Sequence, residues 1–244
     1  MCRLMAYVSR TPTTLPEFVG NDFSEFLELS RIHKDGWGLA YSEGSTTQVA
    51  KKALAAADDD YFSETLSNSK TESGLLHFRW ATPGLAIDEN NSHPFVHNDI
   101  SLIHNGSIIP YDSLLPLISP KFLALRKGTT DSELYFFFLL TNIDELGLEA
   151  GVKSTIETLR RNFSYTSINS MIMTPDQLFI LSEHDPEKKP DWADEFYYEL
   201  RYRINKDGIA VASSGWNQDG WELLPNHSLL IFDRRNFTFT VSSL

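Results

Sequence analysis

A single cysteine in 244 residues excludes an intrachain disulfide and any zinc site built on two or four thiolates. Long apolar runs are missing as well: the longest uninterrupted one, residues 134–140, is far short of the roughly 20 that span a bilayer. The opening Met-Cys-Arg-Leu-Met-Ala-Tyr-Val-Ser-Arg carries a charge at Arg3 and no apolar segment of signal-peptide length. Cations are scarce. Lys and Arg number 21 against 33 Asp and Glu, and the formal charge of −12 repels phosphate, which argues against nucleic acid as a partner. These absences describe a soluble protein of a reducing compartment, expected in the cytoplasm and away from membranes.

What is present is core material: 41% of the chain is hydrophobic and 12% aromatic. The length fits one large domain or two small ones. With no internal repeat and no long linker, a single domain over 1–244 is expected. Strand patterns dominate. Residues 4–9 form an apolar strand expected to be buried on both faces. Residues 15–29 carry Phe18, Val19, Phe23, Phe26 and Leu27 at helical spacing, with Pro16 in a first turn. Short strands at 38–41 and 48–51 flank the turn-like Ser42-Glu43-Gly44-Ser45, and the acidic 58–60 run suits a helix start. Strands at 74–79 and 100–104 follow.

Thr130 with Glu133 is a capping-box signature, so a helix is expected to begin near Asp131, paired with a second over 148–161. Strands at 166–173, 178–182, 197–204, 209–213, 229–232 and 237–241 complete the chain, with 184–193 as a solvated loop. Strands, a helical pair, then strands again indicate α+β layers and not a doubly wound sheet.

The lone thiol sits at Cys2. In an apolar strand it can be a small buried hydrophobe. Removal of Met1 would instead place the thiol and a free α-amine on one residue, and an α-amine with an ordinary pKa of about 7.7–8 can act as the base for its own nucleophile. In His77-Phe78-Arg79-Trp80-Ala81-Thr82-Pro83-Gly84, an arginine leaving a strand suits a bidentate clamp on a small carboxylate, or a surface ion pair. Asn105-Gly106 between apolar runs is a hairpin signal. The same amide and backbone N–H can bind an oxyanion. Asp131 can serve as a helix cap or accept a ligand's ammonium group. The loops 33–38 and 91–95 add Trp37, His33 and His93.

An N-terminal Cys, then Asp-Gly-Trp-Gly, His-Phe-Arg-Trp-Ala-Thr, Ser-His-Pro-Phe, His-Asn-Gly-Ser-Ile and Thr-Asp-Ser-Glu, in this order, resembles the glutaminase domain of class II glutamine amidotransferases. These are N-terminal nucleophile hydrolases. The resemblance is close over roughly the first 140 residues and looser beyond, and the Asp-Gly-Trp-Gly loop without an appended synthase domain is most similar to the stand-alone, YafJ-type branch. It implies a four-layer αββα sandwich of two mainly antiparallel sheets between helical layers. It implies hydrolysis of the γ-amide of glutamine or a small γ-glutamyl compound by Cys2 through a thioester, releasing ammonia or an amine, with no metal or organic cofactor. Asn105 and Gly106 match the oxyanion hole, Arg79 the carboxylate clamp and Asp131 the ammonium acceptor. Trp80, Thr82 and His93 match the surrounding pocket. A separate synthase subunit would be the partner for ammonia transfer. The other function class is a catalytically silent sensor or scaffold that binds glutamine through Arg79 and Asp131; a Cys–His peptidase would need an imidazole at the thiol. One departure stands out: Ala212-Ser213-Ser214-Gly215-Trp216 replaces the Ala-Ser-Glu-Pro common in stand-alone relatives.

Overall fold

The computed structural model describes residues 2–43, 46–82 and 84–244. The expected removal of Met1, the Gly44-Ser45 part of the expected turn, and Pro83 lie outside the described residues. Among the described residues thirteen strands form two antiparallel sheets. Seven strands make the first, in the order β11 (Glu222–Leu224), β9 (Leu200–Asn205), β10 (Gly208–Ser213), β1 (Arg3–Thr13), β4 (Thr71–Arg79), β2 (Gly36–Glu43) and β3 (Thr46–Lys52). The second runs β13 (Thr238–Ser243), β12 (Ser228–Asp233), β8 (Gln177–Ser182), β7 (Ser164–Met173), β6 (Ile100–Ile109) and β5 (Phe95–His97).

Period-two alternation decides which layer each side chain enters. On β1, Leu4, Ala6 and Val8 join Ile103, Met171 and Ile180 in a core between the sheets, while Met5 and Tyr7 face helices α1 (Leu15–Val19), α2 (Asp22–Glu28) and α3 (Asp60–Asn68). The second sheet sends Leu102, Ile168, Ile172 and Phe179 the other way, against α5 (Asp131–Leu146) and α6 (Leu148–Asn162), with the short α4 (Pro120–Leu123) at their edge. Each helical layer covers one outer sheet face, which gives the four-layer αββα sandwich. Helix α5 is buried continuously from Ser132 to Asn142, being enclosed by sheet, α6 and the 3₁₀ segment 111–117.

Four local readings change. The single helix over 15–29 is two, because Gly20 turns the chain at φ +78° and ends α1. The strand expected at 100–104 runs on to Ile109 without turning at Asn105-Gly106; Asn105 pairs with Asn169 and Gly106 with Ile168 on β7. Strand β9 starts at Leu200 and not at 197, since Tyr197 is held out of the sheet by Arg3, whose guanidinium lies 3.9 Å over its ring and donates to its carbonyl at 2.9 Å. The capping box at 130–133 is half made. Thr130 Oγ1 accepts from Glu133 N at 3.2 Å, but the Glu133 carboxylate reaches back further, to Lys127 N and Gly128 N.

Candidate active site

Antiparallel register builds the site. Arg3 pairs with Phe78, so the residue before β1 and the residue ending β4 meet at one sheet end. Cys2 and Arg79 consequently line one cleft, with Thr82, His93, Gly106 and Asp131. Trp80 is there too, its carbonyl 3.9 Å from Cys2 Sγ. The backbone N–H of Cys2 donates to Asn105 Oδ1 at 2.8 Å, which ties the start of the first sheet to the middle of β6 in the second. All eight residues expected at a site are thus brought to one place. No imidazole among the described residues hydrogen-bonds to the thiol, so the arrangement is not a Cys–His pair.

Arg79 is 3% exposed, and its guanidinium is the cation in the lining of this cleft. Its Nη2 donates to Ala86 O at 3.0 Å, whereas Nη1 is buried with no partner among the described residues. Burial pulls its pKa below the ordinary value, opposed by Cys2, Asp35 and Asp88. A buried guanidinium N–H without a protein acceptor is rare in native proteins, and its geometry suits an anion. Asp131 heads α5 where an acid complements the helix dipole. Its Oδ2 accepts from Ile108 N at 2.8 Å, a donor that the β6 bulge between Gly106 and Ile108 releases from the ladder. Oδ1 accepts from Ser132 N at 2.8 Å.

Two glycines permit this geometry. Gly106 has φ +147°, and a Cβ there would lie 1.8 Å from Ser167 O. At Gly38 a Cβ would lie 1.9 Å from His93 O, so only glycine lets the segment carrying His93 pack onto β2. The Asp-Gly-Trp-Gly motif thereby acquires a structural meaning. Asp35 Oδ2 also caps the chain leaving the arginine strand, accepting from Ala81 N at 2.8 Å.

Several arrangements around the site were not legible beforehand, although His93 itself was expected there. His77, His93 and His104 form a buried row behind the cleft, with ring centroids 4.2 Å apart for the first two and 6.3 Å for the last two. His77 Nε2 meets His104 O at 3.3 Å, and His104 Nδ1 meets Ser132 Oγ at 2.9 Å. Both ring nitrogens of His93 are buried without a hydrogen-bond partner among the described residues. The 184–193 connection is more than a solvated loop: Trp192 stacks on Trp80 at 4.7 Å, and Ala193 packs with Tyr197 and Tyr198. The signal was a tryptophan in an otherwise charged stretch. At the departure from relatives, Ser213 Oγ accepts from Leu4 N at 3.0 Å and Ser214 Oγ donates to Phe196 O at 2.6 Å, so these serines hold the first strand and the aromatic segment. The cavity itself is about 30 Å³. That is room for a water or two, less than an amino acid occupies.

Burial keeps the imidazoles neutral. His33 is pulled down to about 3, chiefly by burial and then by Arg3; His77 and His93 fall well below the ordinary value. His104 is lowered by burial, with Asp131 opposing. Because the folded values are depressed, the unfolded chain binds protons first on acidification. Stability from these groups is complete above about pH 6.5 and is lost as pH falls below it. Each imidazole should cost about 1 kcal/mol per pH unit in that window, which lies above the ordinary carboxylate range. The urea midpoint is expected to drop markedly between pH 7.5 and 5.5; an unchanged midpoint would mean that the row is solvated.

Among the described residues, no group of His, Cys, Asp or Glu is placed to hold a metal ion, and no helix is long and apolar enough to cross a membrane. Residues 1–182 match the family model for class-II glutamine amidotransferases. A probable glutamine amidotransferase of Saccharomyces cerevisiae is 30% identical over 61% of this chain and 47% of its own length. The isomerizing glutamine–fructose-6-phosphate aminotransferase of Chlorobaculum tepidum is 27% identical over 76% of this chain and 30% of its own. The chain thus spans less than half the length of either. A class-II glutamine aminotransferase domain protein from Silicibacter pomeroyi superposes with a TM-score of 0.69 at 19% identity, covering 100% of this chain and 99% of that one.

Proposed function

Because the chain belongs to the class II glutamine amidotransferases, a family of enzymes acting on the glutamine amide, we propose that it hydrolyses the γ-amide of glutamine or a small γ-glutamyl compound through a thioester on Cys2. The observation that carries this reading is the buried, unpartnered Nη1 of Arg79 in the cleft that also holds Cys2 and Asp131. An amino-acid head group has one anion and one cation, and an arginine and an aspartate on facing elements fix it in a single orientation. The side chain of the substrate then extends toward the thiol, and binding becomes proximity.

In this mechanism Met1 is absent and the α-amine of Cys2 takes the thiol proton. Asn105 Oδ1 holds that nitrogen, which leaves the N–H end of the same planar amide to donate elsewhere. The thiolate adds to the γ-carbonyl carbon, and the C=O π pair moves onto oxygen. Asn105 Nδ2 and the Gly106 N–H receive the oxyanion; one such donor is typically worth about 2.7–4 kcal/mol. Collapse breaks the C–N bond, and the α-ammonium returns its proton to the departing ammonia or amine. Water, deprotonated by the α-amine, then cleaves the thioester to give the free acid and the thiol. Trp80, Thr82 and His93 close the pocket. Ammonia transfer would run to a separate acceptor subunit.

A glutamine analogue with a diazoketone in place of the γ-amide tests this. The thiol proton, passed through the α-amine, goes to the diazo carbon, thiolate attack there expels dinitrogen, and a stable thioether remains, so mass spectrometry should find the adduct on the peptide that begins at Cys2. Labelling on any other peptide would remove Cys2 as nucleophile.

A further inference from the structure

Alternate residues of the 89–94 segment face two different cavities. Asn91 and His93 line the cleft above; Asn90 and Pro94 line a second cavity of about 550 Å³, within the range of small-molecule sites. Its lining includes the exposed Leu125, and beneath it the edges of Phe95 and Phe137, rings that belong mostly to the buried core. Its mouth carries Lys51, Arg126 and Lys127. In a chain of formal charge −12 these three cations have no ion-pair partner among the described residues, whereas Lys52, Lys121, Lys153, Arg160 and Arg203 each sit within 4 Å of a carboxylate. The one acid in the lining, Glu133, has its two oxygens engaged by Lys127 N at 2.9 Å and Gly128 N at 2.8 Å.

Lys51 is the built element. Its Nζ donates to Ser92 O at 2.7 Å and Pro94 O at 3.4 Å and lies 5.5 Å from the Phe95 ring centroid. An ammonium has three donors, so one remains after these carbonyls. Burial pulls its pKa down to about 8 against Glu133 and Glu89, which favour the charged form. A desolvated ammonium beside an aromatic ring gains from an anion, and a flat apolar body gains from the apolar lining around Leu125.

We propose that this cavity is a binding site for a small molecule with a flat apolar body and one anionic group, carboxylate or phosphate, the body lying on Leu125 and the edges of Phe95 and Phe137 and the anion on Lys51, Arg126 and Lys127. The site is separate from the proposed hydrolytic cleft, and nothing in it requires that activity.

Pyridoxal 5′-phosphate is a suitable probe, being flat, aromatic and phosphorylated, with an aldehyde. Its carbonyl carbon forms an imine with an unprotonated lysine Nζ, losing water; added sodium borohydride delivers hydride to the imine carbon and leaves a stable secondary amine. At one equivalent and pH 8, peptide mass spectrometry should find the tag on Lys51 and Lys127 at least tenfold over the exposed Lys121, Lys153 and Lys188. 1-Naphthoate and 1-naphthyl phosphate should each suppress the tag, and whichever does so at lower concentration identifies the anion. The neutral 1-naphthalenemethanol should not. The Arg126→Gln/Lys127→Gln protein, altered only at the mouth, should show at least fivefold less tag at Lys51 with an unchanged circular dichroism spectrum. Tagging that merely follows lysine exposure would overturn the proposal. So would equal protection by the neutral ring, or by inorganic phosphate alone.

Discussion

Replacing Cys2 by alanine is expected to lower glutamine hydrolysis by a factor on the order of 10⁴ to 10⁶, as loss of a covalent nucleophile does elsewhere, while leaving glutamine binding nearly unchanged. The two effects separate because different groups carry them. The head group of the substrate would be held by Arg79 and Asp131, whereas Cys2 contributes the bond-forming sulfur. Its backbone N–H, bonded to Asn105 Oδ1, is retained in the variant, so the junction of the two sheets should survive. Ammonia release and isothermal titration with glutamine measure the two quantities independently. Hydrolysis within a hundredfold of the parent would place the nucleophile elsewhere. Binding without turnover by the parent protein bearing a mature N-terminal cysteine would instead favour the silent sensor.

Gly106→Ala should damage folding and catalysis together. The added methyl would stand 1.8 Å from the carbonyl oxygen of Ser167, a backbone atom that can yield only by distorting the β6–β7 ladder, and φ is +147°. A loss of roughly 3 kcal/mol or more follows from clash plus backbone strain, seen as a lower urea midpoint. The same shift moves the Gly106 N–H off the oxyanion position, so kcat should fall by about 10²–10³ in whatever protein remains folded. Gly38→Ala is the comparison: its methyl would meet His93 O at 1.9 Å, destabilising the pocket wall while leaving both oxyanion donors in place. A Gly106→Ala protein with the parent midpoint and kcat would show that the strand accommodates a side chain and that this N–H takes no part.

Asn105-Gly106 shows where reading along the chain reaches its limit. Locally the pair specifies a turn, and the fold runs a strand straight through it. Pairing on β7 supplies the hydrogen bonds that a hairpin would otherwise make, up to the bulge between Gly106 and Ile108. The helix over 15–29 failed for a converse reason: its apolar spacing is real, but Gly20 breaks the backbone where propensity alone cannot say whether packing will override it. Trp192 stacks on Trp80 across more than a hundred residues, a contact no local pattern encodes.

Composition and the period of the apolar residues were enough to determine α+β layers, because burial and alternation act residue by residue; the resemblance carried by the ordered motifs added the αββα arrangement and the set of residues worth testing. Which of those residues meet was decided by strand register and by two close backbone approaches. A guanidinium acquires an unpartnered N–H only after its neighbours have desolvated it. A row of imidazoles is held neutral below its ordinary range only when three segments bury it, and three cations face one cavity only after distant stretches of the chain converge. These are properties of distance and dielectric, and they come into being only when the chain folds.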